Sequence, residues 1–231
     1  MNIQKGDFVE IDFTGKIKDG EIFDSTLKEE LDKLHHGHDH EIKAKPFVFC
    51  LGQGMFLESL DNFLIGKEIG KEYEIELEPE HAFGKRISSL IQKIPIKIFA
   101  EQKINPVPGI VFNFDGRAGK ILTVSGGRVI VDFNHSLAGK TIIYKIQVLR
   151  KITDLNEKIK ALNEFFFRKD FKFEIRQEAK PLASSSENQT KDRTLVLEVE
   201  KPLVRLVELF KDKFKEILEL NMEIKEIKEA E

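Results

Sequence analysis

Apolar and polar residues alternate with a period of two along several short stretches of the first third of the chain. In "FVEIDFTGKI", Val9, Ile11 and Phe13 share a face, in "PFVFCLG" Phe47, Phe49 and Leu51 do, and in "KEYEIELE" Tyr73, Ile75 and Leu77 do. Between the last two, "MFLESLDNFLIGKEIG" places Leu57, Leu60 and Leu64 at helical intervals, and Gly66 and Gly70 punctuate the end. The pattern predicts strands with one short helix, whose single apolar stripe suits the hollow of a curved antiparallel sheet.

The texture changes over residues 85–130. "SSLIQKIPIKIFAEQ" is apolar but broken by Pro95, and "INPVPG", "DGRAGK" and "SGGR" read as turns between short strands such as "IVFNF" and "KILTV". A long alternating strand follows, with Ile142, Tyr144, Ile146 and Val148 on one face. From about residue 152 the period shifts again. Thr153 or Asp154 can cap a helix with the stripe Leu155, Ile159, Leu162 and Phe166. "FKFEIR" and "TLVLEVE" read as alternating strands around the polar connection "AKPLASSSENQTKDR", expected to be mobile. "KPLVRLVELFKDKFKEILEL" reads as one apolar helix over 202–220, opened by Pro202, with Leu203, Leu206, Val207, Phe210, Phe214 and Ile217 along one side. "MEIKEI" predicts a last strand, giving an α-β-β-α-β module.

Bulk properties narrow the function classes. The 231 residues are 41% hydrophobic, enough for real cores, and 33% charged. Because 37 basic residues face 40 acidic ones, the net charge is only −3, and no basic excess favours nucleic acid. No apolar run reaches the ~20 residues of a membrane helix, and the N-terminus has no apolar signal region. The single cysteine, Cys50, has no disulfide partner in the chain and reads as a small core residue, not a hydrolase nucleophile. These features predict a soluble cytoplasmic protein, and the Lys, Glu and Ile content points to a heat-loving source.

Several separated stretches resemble one family, the FKBP-type peptidyl-prolyl isomerases. They are "VEIDFTGKIKDGEIFDST", "KPFVFCLGQGMFLESLDNFLIGKEIGKEYEIELEPEHAFG" and "TIIYKIQVLRK". "VDFNHSLAGKTI" is similar to the SlyD-like branch, in which a small domain is inserted in the flap and the chain returns through an Asn-His-x-Leu-Ala-Gly signature. The resemblance covers residues 1–151, and the remainder is similar to the long archaeal members. It implies an α+β fold: an isomerase domain over 1–84 and 131–151, an insert-in-flap chaperone domain over 85–130, and an extra C-terminal module over 152–231. The apolar helix 202–220 is longer than so small a module needs, which predicts that this module joins two copies into a homodimer.

The same resemblance implies a proline pocket made of Phe13, Phe23, Asp24, Phe47, Phe56, Leu57, Leu60, Phe83 and Tyr144. Phe13 and Phe83 stand where tyrosine is usual, and Leu60 where tryptophan is frequent. Alternation alone makes Phe13 and Phe47 core residues, and Asp24 alone reads as a cap for the turn "FDST". His135 either lines the pocket or fixes its own turn, the second being preferred. The resemblance further implies that the insert holds unfolded or nascent chains with X–Pro bonds, for which Ile91, Ile94, Ile98 and Phe99 are candidate contacts.

The implied chemistry needs no cofactor, because twisting an amide breaks no bond. "HHGHDH" is a separate anomaly: His35, His36, His38 and His40 suit nickel or zinc, although their spacing matches no structural zinc pattern. The alternatives are therefore a holdase with little isomerase activity, or a metal-handling protein using the 35–40 loop.

Overall fold

The computed structural model describes residues 2–34, 44–177 and 193–227. The strands and helices run β1 (Phe8–Ile17), β2 (Ile22–Ser25), α1 (Lys28–Leu34), β3 (Phe47–Cys50), α2 (Glu58–Leu64), β4 (Glu72–Leu77), β5 (Ile91–Pro95), α3 (Ile96–Glu101), β6 (Val111–Phe114), β7 (Arg117–Ser125), β8 (Arg128–Asp132), β9 (Ile142–Ile152), α4 (Leu155–Phe167), β10 (Phe173–Gln177), β11 (Arg193–Glu200), α5 (Val204–Glu208), α6 (Lys211–Leu218) and β12 (Asn221–Ile227). The architecture is α+β. A five-stranded sheet has the order β2-β1-β9-β4 with β3 also paired to β1, and two smaller sheets have the orders β5-β8-β7-β6 and β10-β11-β12. The chain divides into two compact units, one of 1–13, 25–73 and 145–231, the other of 14–24 and 74–144.

In the first unit the alternation of β1 works as expected: Val9, Ile11 and Phe13 are buried. Phe8 is buried as well, and the Lys158 ammonium of α4 lies over its ring, 5.4 Å from the centroid. β3 runs antiparallel to β1 and buries Phe49 and Cys50. Helix α2 sinks Leu60 and Leu64, the stripe that its spacing predicts. Its exit is tied by backbone bonds from Gly66 N–H to Ile3 and from Gly70 N–H to Val148. Asp154 caps α4, its carboxylate accepting the Glu157 N–H at 2.9 Å. Arg150 of β9 fastens α4 to the sheet by reaching Glu10 and Glu157 at 2.6 and 2.8 Å.

Two expectations for the C-terminal part change. β11 does not alternate: Leu195, Val196 and Leu197 are all buried, as suits a central strand between antiparallel β10 and parallel β12. The single helix expected over 202–220 is two short helices. Bonds from Leu209 N–H to Leu206 and from Phe210 N–H to Val207 tighten the chain between α5 and α6. The expected stripe stays at least half-buried except at Leu206, which is 41% exposed. Val207 and Phe214 are buried, whereas Leu209 is 79% exposed. The connection over 179–193 lies, but for Arg193, outside the described residues.

In the second unit, β6, β7 and β8 form an antiparallel meander, β5 pairs antiparallel with β8 at its edge, and the sheet has its own core of Phe99, Ile121, Val129 and Val131. Both tight turns follow from their glycines. Asp115-Gly116 and Gly126-Gly127 have positive φ at both positions, which two-residue hairpins demand. Gly119 is dictated by packing, since a Cβ there would stand 2.7 Å from Val131 and 2.8 Å from Phe133. Pro95, read as a break, ends β5 and starts helix α3. The helix turns Phe99 inward.

Candidate active site

Phe13, on β1, is buried at the base of the first unit's aromatic group. Its main chain is held by the turn after β2. The Phe13 N–H donates to Thr26 Oγ1 at 2.9 Å, and its carbonyl accepts from the Ser25 hydroxyl at 3.0 Å. Thr26 in turn donates to Asp12 at 2.8 Å. The two hydroxyls of "FDST" therefore tie this turn to β1. Phe47 and Phe49 stack along β3 with centroids 5.2 Å apart at 10°. Phe56, half-buried, leans on Phe13, Phe47 and Phe49 at 5.3, 5.6 and 5.5 Å. Leu57 is half-buried at the start of α2, and Leu60 is fully buried beneath.

The loop that presents Phe56 is anchored by a residue the sequence did not single out. Asp61 of α2 is buried, and its carboxylate accepts the Gly52 N–H at 3.0 Å. Burial raises its pKa above the ordinary carboxylate value, and the N–H groups of Gly52 and Gly54 pull it part of the way back. Gly52 and Gly54 both sit at positive φ, so glycine is required where the loop turns.

The second unit carries a different group. Phe23 of β2 meets Phe83 and Tyr144 edge-on, each at 5.8 Å and 89°. Phe83 in turn stacks face to face on His135 at 4.9 Å and 4°. His135 also fixes its own turn, the preferred reading: its Nδ1 accepts the Leu137 N–H at 3.2 Å. Gly15 makes the group possible, because a Cβ there would stand 2.7 Å from the Phe23 ring and 2.9 Å from that of Tyr144. A glycine inside a strand is the signal that could have found it. Tyr144 is almost fully buried, and its phenol pKa is pushed far above 10, first by burial and then by the carboxylate of Asp24. It therefore stays protonated, a donor at any physiological pH. Asp24 itself is exposed, next to the half-buried Phe23. The exposed Asp24 is near enough for its carboxylate charge to act on the Tyr144 phenol.

The candidate client contacts are corrected in part. Phe99 is 1% exposed and packs edge-on against Phe114 at 5.7 Å, so it is core, not contact surface. Its position on the inner side of α3 is the reason. Ile91 and Ile94 are half-buried. Ile98 is 44% exposed, and Ile110 and Val111, at 43% and 59%, add to the apolar surface of the insert. His35, His36, His38 and His40 lie outside the described residues. Among the described residues no three His, Cys, Asp or Glu side chains gather as metal ligands. Cys50 is buried, donates to the Gly6 carbonyl, and has its thiol pushed up to about 11 by burial, the state of an inert core thiol. No helix among the described residues is long and apolar enough to cross a membrane.

Known proteins resemble the chain in sequence. Residues 92–137 match the family model described as FKBP26, IF domain. The chain is 35% identical over 146 residues to a short-type peptidyl-prolyl cis-trans isomerase of Methanocaldococcus jannaschii, covering 63% of this chain and 92% of that one. It is 32% identical over 153 residues to the FKBP-type 16 kDa peptidyl-prolyl cis-trans isomerase of Escherichia coli, covering 64% and 93%. It is 30% identical over 155 residues to the FKBP-type peptidyl-prolyl cis-trans isomerase SlyD of Vibrio cholerae, covering 64% and 68%. The chain belongs to the FKBP-type peptidyl-prolyl cis-trans isomerase family.

Proposed function

We propose that the protein accelerates cis–trans isomerisation of X–Pro bonds in unfolded polypeptides, and that its catalytic residues are Phe13, Phe23, Asp24, Phe47, Phe56, Leu57, Leu60, Phe83 and Tyr144. Amide resonance sets a barrier of about 18–20 kcal/mol to rotation. At the twisted transition state the nitrogen pyramidalises and the carbonyl loses part of its dipole. Aromatic surroundings favour that less polar state over the planar one, which water solvates better. Only this difference accelerates the reaction. A thousandfold gain takes about 4 kcal/mol.

The observation that carries the reading is the group of Phe23, Phe83 and Tyr144. It supplies two hydrocarbon rings and one phenol kept neutral as a hydrogen-bond donor, with a carboxylate field beside it. Asp24 orients and polarises, and no proton transfer is assigned to it. The test is proline-limited refolding of a model substrate. Acceleration is expected at one-hundredth of the substrate concentration, with loss of more than tenfold in Phe23→Ala. Suppression of aggregation only at stoichiometric amounts, without acceleration, would instead select the holdase reading that the exposed Ile98, Ile110 and Val111 favour.

The insert over 85–130 is assigned the capture of client chains, which raises the local concentration of prolyl bonds without new contacts at the catalytic residues. Replacing Ile98 and Val111 by serine is expected to slow turnover of protein substrates at least fivefold and to spare tetrapeptides. The module over 152–231 is assigned homodimerisation, with Leu206 and Leu209 as its exposed apolar residues. A monomeric mass in sedimentation at micromolar protein would reject this. The cytoplasm, in an archaeal cell, is the compartment this reading places it in.

A further inference from the structure

Helix α4 lies beyond the isomerase domain expected from the sequence, yet it reaches the first aromatic group. Phe165 lies 6.3 Å from Phe47, their planes at 43°, and Phe47 is the ring that also touches Phe13, Phe49 and Phe56. The neighbouring residue, Glu164, pairs with Lys45 at 2.8 Å, two residues before Phe47. The helix is thus fixed beside β3 by an ion pair next to the ring contact. Deeper anchors hold it at the other end: Ile159 and Leu162 are buried, and Arg150 grips Glu157. A second connection runs from α6, where Lys213 Nζ donates to Gln53 at 2.7 Å, in the loop that presents Phe56. Phe165 is only half-buried despite these neighbours. The run of rings does not stop at it, since Phe166 packs on Phe165 at 5.0 Å.

We propose that Phe165 is a specificity-determining residue of the isomerase site, an added aromatic wall that receives an apolar side chain flanking the proline of the client. The inference rests on the isomerase reading given above. A half-exposed ring continuous with Phe47 and Phe56 offers dispersion and hydrophobic contact to an aliphatic or aromatic residue, and nothing to glycine or to a charged residue. α4 is the C-terminal module's contribution to substrate choice. Its stiffness matters, because an ordered ring costs less entropy to bind against than a loop side chain.

Steady-state isomerisation of tetrapeptides that differ only in one residue flanking the proline tests this, with Phe, Leu, Gly or Glu at that position. Phe165→Ala is expected to raise KM five- to tenfold for the Phe and Leu peptides, to leave kcat within twofold, and to change the Gly and Glu peptides by less than twofold. Phe165→Tyr should restore the preference, which a packing role alone would not distinguish by peptide. Equal effects on all four peptides, or none, would overturn the proposal. Fluorescence anisotropy of a labelled Leu-Pro peptide provides an independent reading. A wild type without isomerase activity removes the isomerase reading, whereas wild-type and Phe165→Ala proteins of equal affinity for that peptide remove this one. If Phe165→Ala does not fold, Phe165→Leu keeps the apolar volume and is expected to lose the preference for the Phe peptide alone; retention of that preference would also overturn the proposal.

Discussion

The two aromatic groups solve packing differently. In the first unit, Phe13, Phe47, Phe49 and Phe56 interlock, so that Phe56 and Phe47 each touch three others of the set, and all four are hydrocarbon. In the second, Phe23 bridges only two rings, and the group includes a phenol, an imidazole and a nearby carboxylate. The first arrangement is redundant and rests on the buried Phe13 and Phe49, which builds stability, with Phe47 and Phe56 half-buried above them. The second is sparse and polar at its rim, which suits discrimination between a planar amide and a twisted one. The contrast says that truncating the buried Phe49 should damage folding most, and truncating Phe23 activity most.

The largest effect is expected for Phe49→Ala, which removes a fully buried ring from the interlocked group. It should cost about 3–5 kcal/mol of stability in urea unfolding, while Phe23→Ala costs clearly less and loses more activity. Equal stability losses would dissolve the contrast. Next is Gly15→Ala, whose methyl would collide with Phe23 and Tyr144 at 2.7 and 2.9 Å. About 1–3 kcal/mol of destabilisation and a tenfold loss of kcat/KM should appear together.

Tyr144→Phe should be smaller, keeping the ring and removing the donor: a three- to tenfold fall in kcat with the tetrapeptide assay. It also carries a pH signature. The folded-state pKa of this acid is raised, so folding binds the proton more tightly than the unfolded chain does. Wild-type stability is then fully present below pH ~10 and declines above it, and the Phe variant should lack that part of the decline. The smallest expected effect is that of Asp61→Asn. The Asp61 pKa is raised too, so wild type should lose stability relative to the variant as pH rises from about 4 through the carboxylate range. Parallel pH profiles would show that burial does not control this carboxylate.

Much of this was legible locally. Alternation found the buried faces of β1, β3 and β9, and helical spacing found Leu60 and Leu64. Asp-Gly and Gly-Gly marked the insert's hairpins, because only residues tolerant of positive φ close such turns. The inward turn of Phe99 was not legible, since Ile94, Ile96 and Ile98 crowd "IPIKIFAEQ" beside it and the stretch does not say which face meets a core. Nor was the split at Leu209, where no glycine or proline interrupts the pattern. Asp24 was placed by resemblance beside the aromatics; it is exposed on β2 next to Phe23, and its charge acts on Tyr144.

By itself the sequence determined what depends on near neighbours: strand faces, caps, hairpin turns and the family to which the chain belongs. Tertiary structure alone decided that Phe23 meets Tyr144 over Gly15, that Asp61 holds the Phe56 loop, and that Phe165 stands beside Phe47. Periodicity is set by local backbone geometry and is written in consecutive residues. The meeting of rings more than a hundred positions apart is set by strand order and helix packing, which no short stretch of sequence encodes.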